Sequence, residues 1–254
     1  MSWFEALILG LIQGITEFFP ISSSAHFKLA QHFFGLSPFA RDLYFEMTCN
    51  MGTVLAMLFY FRKEITDLWH SRHKLYLLAL AILPLFPAYF IYHFFKSALC
   101  NDHLLGYFLI LTALLLFAAA RFNFTRTDSK YKDALIIGFM QSLALLPGFS
   151  RSASTISAAC FRGWPLKEAI SFSFLLAIPA ILGGHFLETL QLLFLREHAA
   201  VQVNLTSYAI GFMTSLGTGL LTMRYILSLT DKKRVRPFAW YCLIIGVATC
   251  IYFS

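Results

Sequence analysis

The sequence predicts an all-α polytopic membrane protein. Its expected plan is an inverted repeat of two halves, each a re-entrant helix pair plus three transmembrane helices, making six spans and ten helices. Three observations lead there. The 254 residues are 58% hydrophobic and 13% charged, with a mean hydropathy of +0.68, the profile of a chain whose main solvent is lipid. Two apolar stretches are too short to span and are broken by proline beside runs of hydroxyl residues. The second half also repeats the first. Gly10-Leu-Ile-Gln13 matches Gly138-Phe-Met-Gln141. Pro20 and Pro38 match Pro147 and Pro165 at a spacing of 127 residues, and Ser22 and Ser24 match Ser150 and Ser152 at a spacing of 128.

Taken in order, residues 3–19 are apolar and helix-competent and end at Pro20, which cannot continue helical bonding. A second short piece, 22–35, has Ser22 at its N-cap and stops at Gly35-Leu-Ser-Pro38. Each is short of the roughly 20 residues of a span, so together they read as a re-entrant hairpin. Such a hairpin is tolerated at membrane depth only when packed in protein or lining a wet cavity. A span follows at 41–61, then a polar loop at 62–74. Spans at 75–95 and 104–120 come next, the first kinked by Pro84 and Pro87. After the hydrophilic loop 121–133 the pattern recurs: short pieces at 134–146 and 150–161 around Pro147-Gly148, then spans at 167–188, 205–227 and 237–253. One membrane domain covers 1–254, with repeats of about 1–127 and 128–254. Three spans per half is an odd number, so the second half is expected to run inverted, with a site at the repeat interface.

The net charge of +7 would suggest nucleic acid in a soluble protein. Here the basic residues lie in short clusters between apolar runs, which excludes a nucleic-acid face and sets topology instead. Loops 62–74, 121–133 and 230–236 each hold four Lys or Arg, whereas 96–103 has only Lys96 and 195–204 only Arg196. The rich loops therefore face the cytoplasm, and both termini and the first hairpin face outward. The N-terminus lacks the positive region of a cleaved signal peptide, so the first segment is expected to be retained. Cys49, Cys100, Cys160, Cys242 and Cys250 form no CxxC and read as small buried hydrophobes. Trp3, Trp164 and Trp240 read as interface anchors.

Chemistry concentrates at the two breaks. The first, Gln13 to His26, places Glu17, Ser22, Ser23, Ser24 and His26 among apolar residues, and polar groups at that depth mark a site. Three roles are open to Glu17: general base, metal ligand, or ion partner of Arg151. His26 suits acid or base work, and Ser22 or Ser23 a nucleophile. The second break, Pro147-Gly-Phe-Ser-Arg-Ser-Ala-Ser-Thr155, starts a helix at Ser150 with Arg151 in its first turn. Free N–H groups at a helix start, a guanidinium fork and the hydroxyls of Ser150, Ser152 and Thr155 suit an oxyanion. Ser154 and Ser157 read as small packing residues, and Gln13 and Gln141 as interhelical hydrogen-bonding groups. Glu46 either lines the cavity or meets an inward basic residue. His93, His185 and Glu188 lie near span ends, where interfacial placement suffices. If both breaks share one site, Glu17 and Arg151 come close.

At these residues the chain resembles the BacA/UppP family of undecaprenyl-diphosphate phosphatases. The resemblance lies in the (E/Q)xxxE pattern, Gln13-Gly-Ile-Thr-Glu17, with Pro20-Ile-Ser-Ser-Ser-Ala-His26, and in the PGxSRSxxT pattern at Pro147–Thr155. It implies the ten-helix inverted-repeat fold in a bacterial inner membrane, and hydrolysis of undecaprenyl diphosphate on the outer face. That activity recycles the cell-wall lipid carrier and confers bacitracin resistance. By the resemblance, Glu17, Ser23, His26 and Arg151 take catalytic roles. Ser22, Ser150, Ser152 and Thr155 take diphosphate contacts, with Gln13 and Ser24 as further substrate-binding candidates, and a divalent cation, Mg2+ or Ca2+, is expected, with Glu17 as its candidate ligand. Gln13 stands where many members have Glu, so Glu17 carries the carboxylate work alone. The expected partners are the polyprenyl diphosphate and membrane lipids, with a second copy of the chain as a candidate and no nucleic acid. The rival reading is a lipid or small-anion transporter or flippase, since paired broken helices in inverted repeats also serve transport.

Overall fold

Helix α1, Trp3–Thr16, begins at a reciprocal cap. In the computed structural model, which describes residues 1–35, 43–99, 101–121, 130–195, 204–229 and 231–253, the Ser2 hydroxyl accepts from the Glu5 N–H at 3.2 Å. The Glu5 carboxylate accepts from the Ser2 N–H at 2.8 Å, so two orphan donors are satisfied at once. Fourteen residues rise about 21 Å, short of the roughly 30 Å of bilayer hydrocarbon. The chain turns through Pro20 and restarts as α2 (Ser23–Phe33) behind the N-cap Ser22. Ser22 has φ 71° and is the one non-glycine residue of positive φ among the described residues. That conformation is costly for an L-residue and clusters at functional sites.

The following helices are α3 (Leu43–Tyr60), α4 (Arg62–His70), α5 (Arg72–Ile82), α6 (Leu85–Leu99) and α7 (Asp102–Arg121). The second half gives α8 (Lys130–Ser142), α9 (Arg151–Phe161), α10 (Leu166–Leu195), α11 (Leu205–Leu227) and α12 (Arg236–Phe253). No strand occurs among the described residues. Among the described residues, four stretches are long and apolar enough to cross a membrane: Arg72–Phe95, Asp102–Arg121, Leu166–Gln191 and Lys233–Phe253. The first is broken between α5 and α6 at Leu83-Pro84, as its prolines predict. The polar stretch expected as a loop at 62–74 instead contains α4. Ile65 and Leu68 lie three residues apart on one face and pack on the core, while the charged residues stay outside. Pro38, Cys100, Arg126 and Arg196 lie outside the described residues.

Small residues set the helix packing. Gly10 and Gly14 of α1 face Gly211, Ser215 and Gly219 of α11, and a Cβ at Gly10 would stand 2.7 Å from the Gly211 carbonyl oxygen. Helices in lipid gain little from apolar burial against each other, so close backbone approach and dispersion hold them. Helix α11 also packs on α3, α5 on α8, and α7 on α12. The largest apolar cluster runs between the two breaks, with the Phe18 ring meeting Phe174 of α10 edge-on at 5.4 Å. Cys49, Cys160 and Cys242 are buried, as read from the sequence, and Cys250 is partly exposed. Trp3 and Trp240 are exposed, as anchors are, but Trp164 is only 7% exposed. Its indole N–H donates to Asp133 at 2.8 Å, and the same carboxylate accepts from Arg162 Nε at 2.6 Å. Trp164 is therefore part of a polar latch between the start of α8 and the end of α9.

Candidate active site

Both breaks need their freed backbone groups satisfied, and the protein does so by bringing them together. The Phe19 carbonyl accepts from Ser152 Oγ at 3.2 Å, and the Pro20 carbonyl from Cys242 Sγ at 3.7 Å. On the other side the Ser150 N–H donates to Thr112 Oγ1 at 3.1 Å. Gly148 has φ +102°, and a Cβ there would stand 2.8 Å from the Leu105 carbonyl oxygen, so only glycine fits this turn against α7. Ser22 and Ser150 occupy equivalent N-caps: their hydroxyls accept from the N–H of Ala25 at 3.4 Å and of Ala153 at 3.2 Å. Each also pairs with the hydroxyl two residues on, Ser24 at 3.3 Å and Ser152 at 3.2 Å.

Glu17 is the centre of the junction. Its Oε1 accepts from Arg151 Nη2 at 2.6 Å, and the two side chains are 8% and 17% exposed. Its Oε2 accepts from Ser23 Oγ at 2.7 Å and from Gln13 Nε2 at 2.9 Å. One carboxylate thus holds a cation from the second break and a hydroxyl from its own. Bonds of this charge-assisted kind are about twice as strong as neutral ones. Arg151 is steadied further by the Ser173 carbonyl at 3.4 Å. Thr155 bonds Ser173 Oγ at 2.6 Å and the Arg151 carbonyl at 2.9 Å, so it acts on the site through α9 and α10. Ser154 and Ser157 are buried in the α9 packing, as their size suggests.

A cavity of about 260 Å³ opens beside this junction. Glu17, Ser22, Ser23, Ser24, Ser150, Arg151 and Ser152 line it, so seven of the ten residues singled out in the sequence meet at one space. Gln13 supports the wall through Glu17 and also donates to Asn50 Oδ1 on α3. His26 is placed differently. Its Nδ1 lies 2.8 Å from the Ser22 carbonyl and its Nε2 lies 2.8 Å from the Tyr241 hydroxyl of α12, with the rings stacked. It braces the strained Ser22 turn from behind rather than lining the cavity.

The structure adds residues that sequence reasoning set aside. His185 and Glu188 of α10, expected at an interface, line the cavity with Glu46, Asn50 and Gln141. Asn50 Nδ2 meets His185 Nε2 at 3.3 Å. Their spacing held a signal. Glu46 and Asn50 are four apart and His185 and Glu188 three apart, so each pair shares a helix face. Gln141 makes no interhelical bond: both polar atoms of its carboxamide lack a partner among the described residues.

Comparison with known proteins shows the family. A family model described as bacitracin resistance protein BacA matches residues 6–248. A Protochlamydia amoebophila protein named undecaprenyl-diphosphatase is 41% identical, covering 100% of both chains. Proteins of the same name from Carboxydothermus hydrogenoformans and Christiangramia forsetii are 34% and 32% identical. They cover 99% of this chain and 97% and 98% of their own.

Proposed function

The chain belongs to the BacA family of bacitracin resistance proteins, and we propose that it is an integral membrane phosphatase that hydrolyses undecaprenyl diphosphate to undecaprenyl phosphate and phosphate. The observation that carries the reading is the contact set of Glu17. The Ser23 hydroxyl at 2.7 Å and the Arg151 guanidinium at 2.6 Å converge on one carboxylate at one cavity. A hydroxyl bonded to a carboxylate is an activatable nucleophile, and a buried guanidinium with spare donors is an anchor for phosphoryl oxygens.

In the mechanism this supports, Arg151 turns from Glu17 to the diphosphate and Glu17 is left with Ser23. Glu17 takes the Ser23 proton as Ser23 Oγ attacks the terminal phosphorus. The new O–P bond forms, the bridging P–O bond breaks, and undecaprenyl phosphate leaves. Water then displaces phosphate from Ser23 and the hydroxyl regains a proton. The Ser150 hydroxyl donates to the equatorial oxygens, together with the first-turn N–H groups of α9, while Ser152 keeps its bond to the Phe19 carbonyl. His26, bound to the Ser22 carbonyl and to Tyr241, holds the turn that aims Ser23. The other route, water activated by Glu17 and His26, is less favoured because the His26 ring nitrogens are directed away from the cavity. A flippase needs no hydroxyl–carboxylate pair, so the transport reading leaves Ser23 and Glu17 unexplained.

A divalent cation, Mg2+ or Ca2+, fits this site in company with the substrate. Both oxygens of Glu17 are engaged, and among the described residues no group of three His, Cys, Asp or Glu is gathered to hold an ion. Mg2+ is commonly held by one or two carboxylates and substrate phosphates together, so Glu17 would hold it in company with the diphosphate. When bound, the ion neutralises charge on the phosphoryl oxygens. We further place the protein in the bacterial inner membrane as an inverted repeat of six spans, with termini and active site outward. Helix pairings support the repeat: α1 on α11 and α3 on α11 are mirrored by α8 on α5 and α10 on α5. Gly10 and Gly138, matched in the repeat, both sit where the backbones of the first and third of these pairs come close.

The test is phosphate release from undecaprenyl diphosphate by purified protein carrying Ser23→Ala, Glu17→Gln or Arg151→Ala. Wild-type turnover in all three refutes the assignment, and lipid movement across vesicles without phosphate release establishes the transport alternative. Chelation should stop release, and added Mg2+ or Ca2+ should restore it.

A further inference from the structure

Two polar groups on the cavity wall are unexplained by the chemistry above. The Gln141 carboxamide is 2% exposed and neither its nitrogen nor its oxygen has a partner among the described residues. His185 Nδ1 is likewise buried and without a partner among them. Native proteins rarely leave such groups unpaired, and both residues line the cavity that holds Arg151 and Ser23.

The hydrogen-bond network decides what His185 offers. The Glu17 carboxylate, paired with Arg151, accepts only, so Gln13 turns its Nε2 toward it. The same Nε2 then donates to Asn50 Oδ1. Asn50 must therefore present Nδ2 to His185, whose Nε2 accepts. That leaves the imidazole proton on Nδ1, the atom without a partner. Each link is forced by the one before it, starting from a guanidinium that can only donate.

We propose that His185, through Nδ1–H, and Gln141, through its amide N–H, are substrate-binding residues that hold diphosphate oxygens at the cavity wall. The inference rests on the phosphatase reading for its substrate. The cavity wall also carries the carboxylates of Glu46 and Glu188, which an anionic oxygen avoids. Directed N–H donors are what allow the diphosphate to approach that wall.

Two isosteres of His185 separate binding from architecture. Asparagine places an amide nitrogen where Nδ1 stands and keeps the donor toward the cavity. Glutamine reaches the position of Nε2, keeps the contact with Asn50 and loses the cavity donor. In full-length protein purified in detergent, His185→Gln and Gln141→Leu should raise KM for undecaprenyl diphosphate about tenfold or more, the worth of a hydrogen bond to a charged group. Their kcat should stay near wild type, and His185→Asn should keep a near-normal KM. Equilibrium titration with methylenediphosphonate, which cannot be hydrolysed at its bridge, should show the same order in Kd. If the two His185 variants behave alike, or if asparagine is the more damaging, His185 serves Asn50 or a bound water and the proposal is overturned. If wild-type protein binds methylenediphosphonate with this order among variants yet releases no phosphate from the lipid, the binding site stands and the phosphatase reading fails.

Discussion

Replacing Glu17 by glutamine keeps the side-chain shape and removes one charge, which makes it the sharpest probe of the junction. The carboxylate accepts three bonds, from Arg151 at 2.6 Å, Ser23 at 2.7 Å and Gln13 at 2.9 Å. A glutamine oxygen can serve one side, but its NH2 then faces donors on the other. Arg151 loses its counter-charge at a position only 17% exposed. Removing one partner of a buried pair costs about 3–5 kcal/mol, so the free variant should unfold at a lower temperature. A bound diphosphate supplies the missing charge, so methylenediphosphonate should raise the melting midpoint more in the variant than in wild type. Turnover should move the opposite way: loss of the group that takes the Ser23 proton lowers kcat about 10²–10⁴-fold. The assay is phosphate release at saturating undecaprenyl diphosphate, paired with thermal unfolding with and without the phosphonate. A kcat within about tenfold of wild type refutes the role of Glu17 as base. An unchanged midpoint refutes the account of the ion pair.

Asp133→Ala should destabilise the protein by about 3–5 kcal/mol, since it strips a fully buried carboxylate from Arg162 and Trp164; denaturant unfolding in detergent measures it, and a cost under about 1 kcal/mol would falsify the latch. Ser22→Gly relieves a positive φ of 71° worth about 1–3 kcal/mol and gives up little as a cap. It should raise the melting midpoint while lowering kcat, because the Ser23 hydroxyl is no longer aimed; a lowered midpoint counts against stored strain at Ser22. Gly10→Leu forces α1 off α11, where a Cβ already stands 2.7 Å from a carbonyl oxygen. Overpacking of this kind costs about 1–3 kcal/mol, visible as earlier thermal inactivation, and an unaltered midpoint shows that the helices part freely.

Local chemistry that repeats is legible without coordinates. The two proline breaks, their serine caps and the apolar runs between them follow from backbone bonding and from the cost of polar groups in lipid. The repeat makes the two breaks halves of one expected site, and pairing with Arg151, 134 residues on in sequence, is one of the three roles left open for Glu17. Composition hid α4, because a short charged stretch looks like a loop until Ile65 and Leu68 find a core to cover. Only the folded chain shows that His26 faces Tyr241 while His185 enters the cavity. The serine run beside His26 singles it out in the sequence, whereas His185 stands alone among apolar residues near the end of its span. Which imidazole meets the substrate depends on how α10 and α12 lie against the breaks, and that is settled by close packing of distant helices rather than by any neighbouring residue.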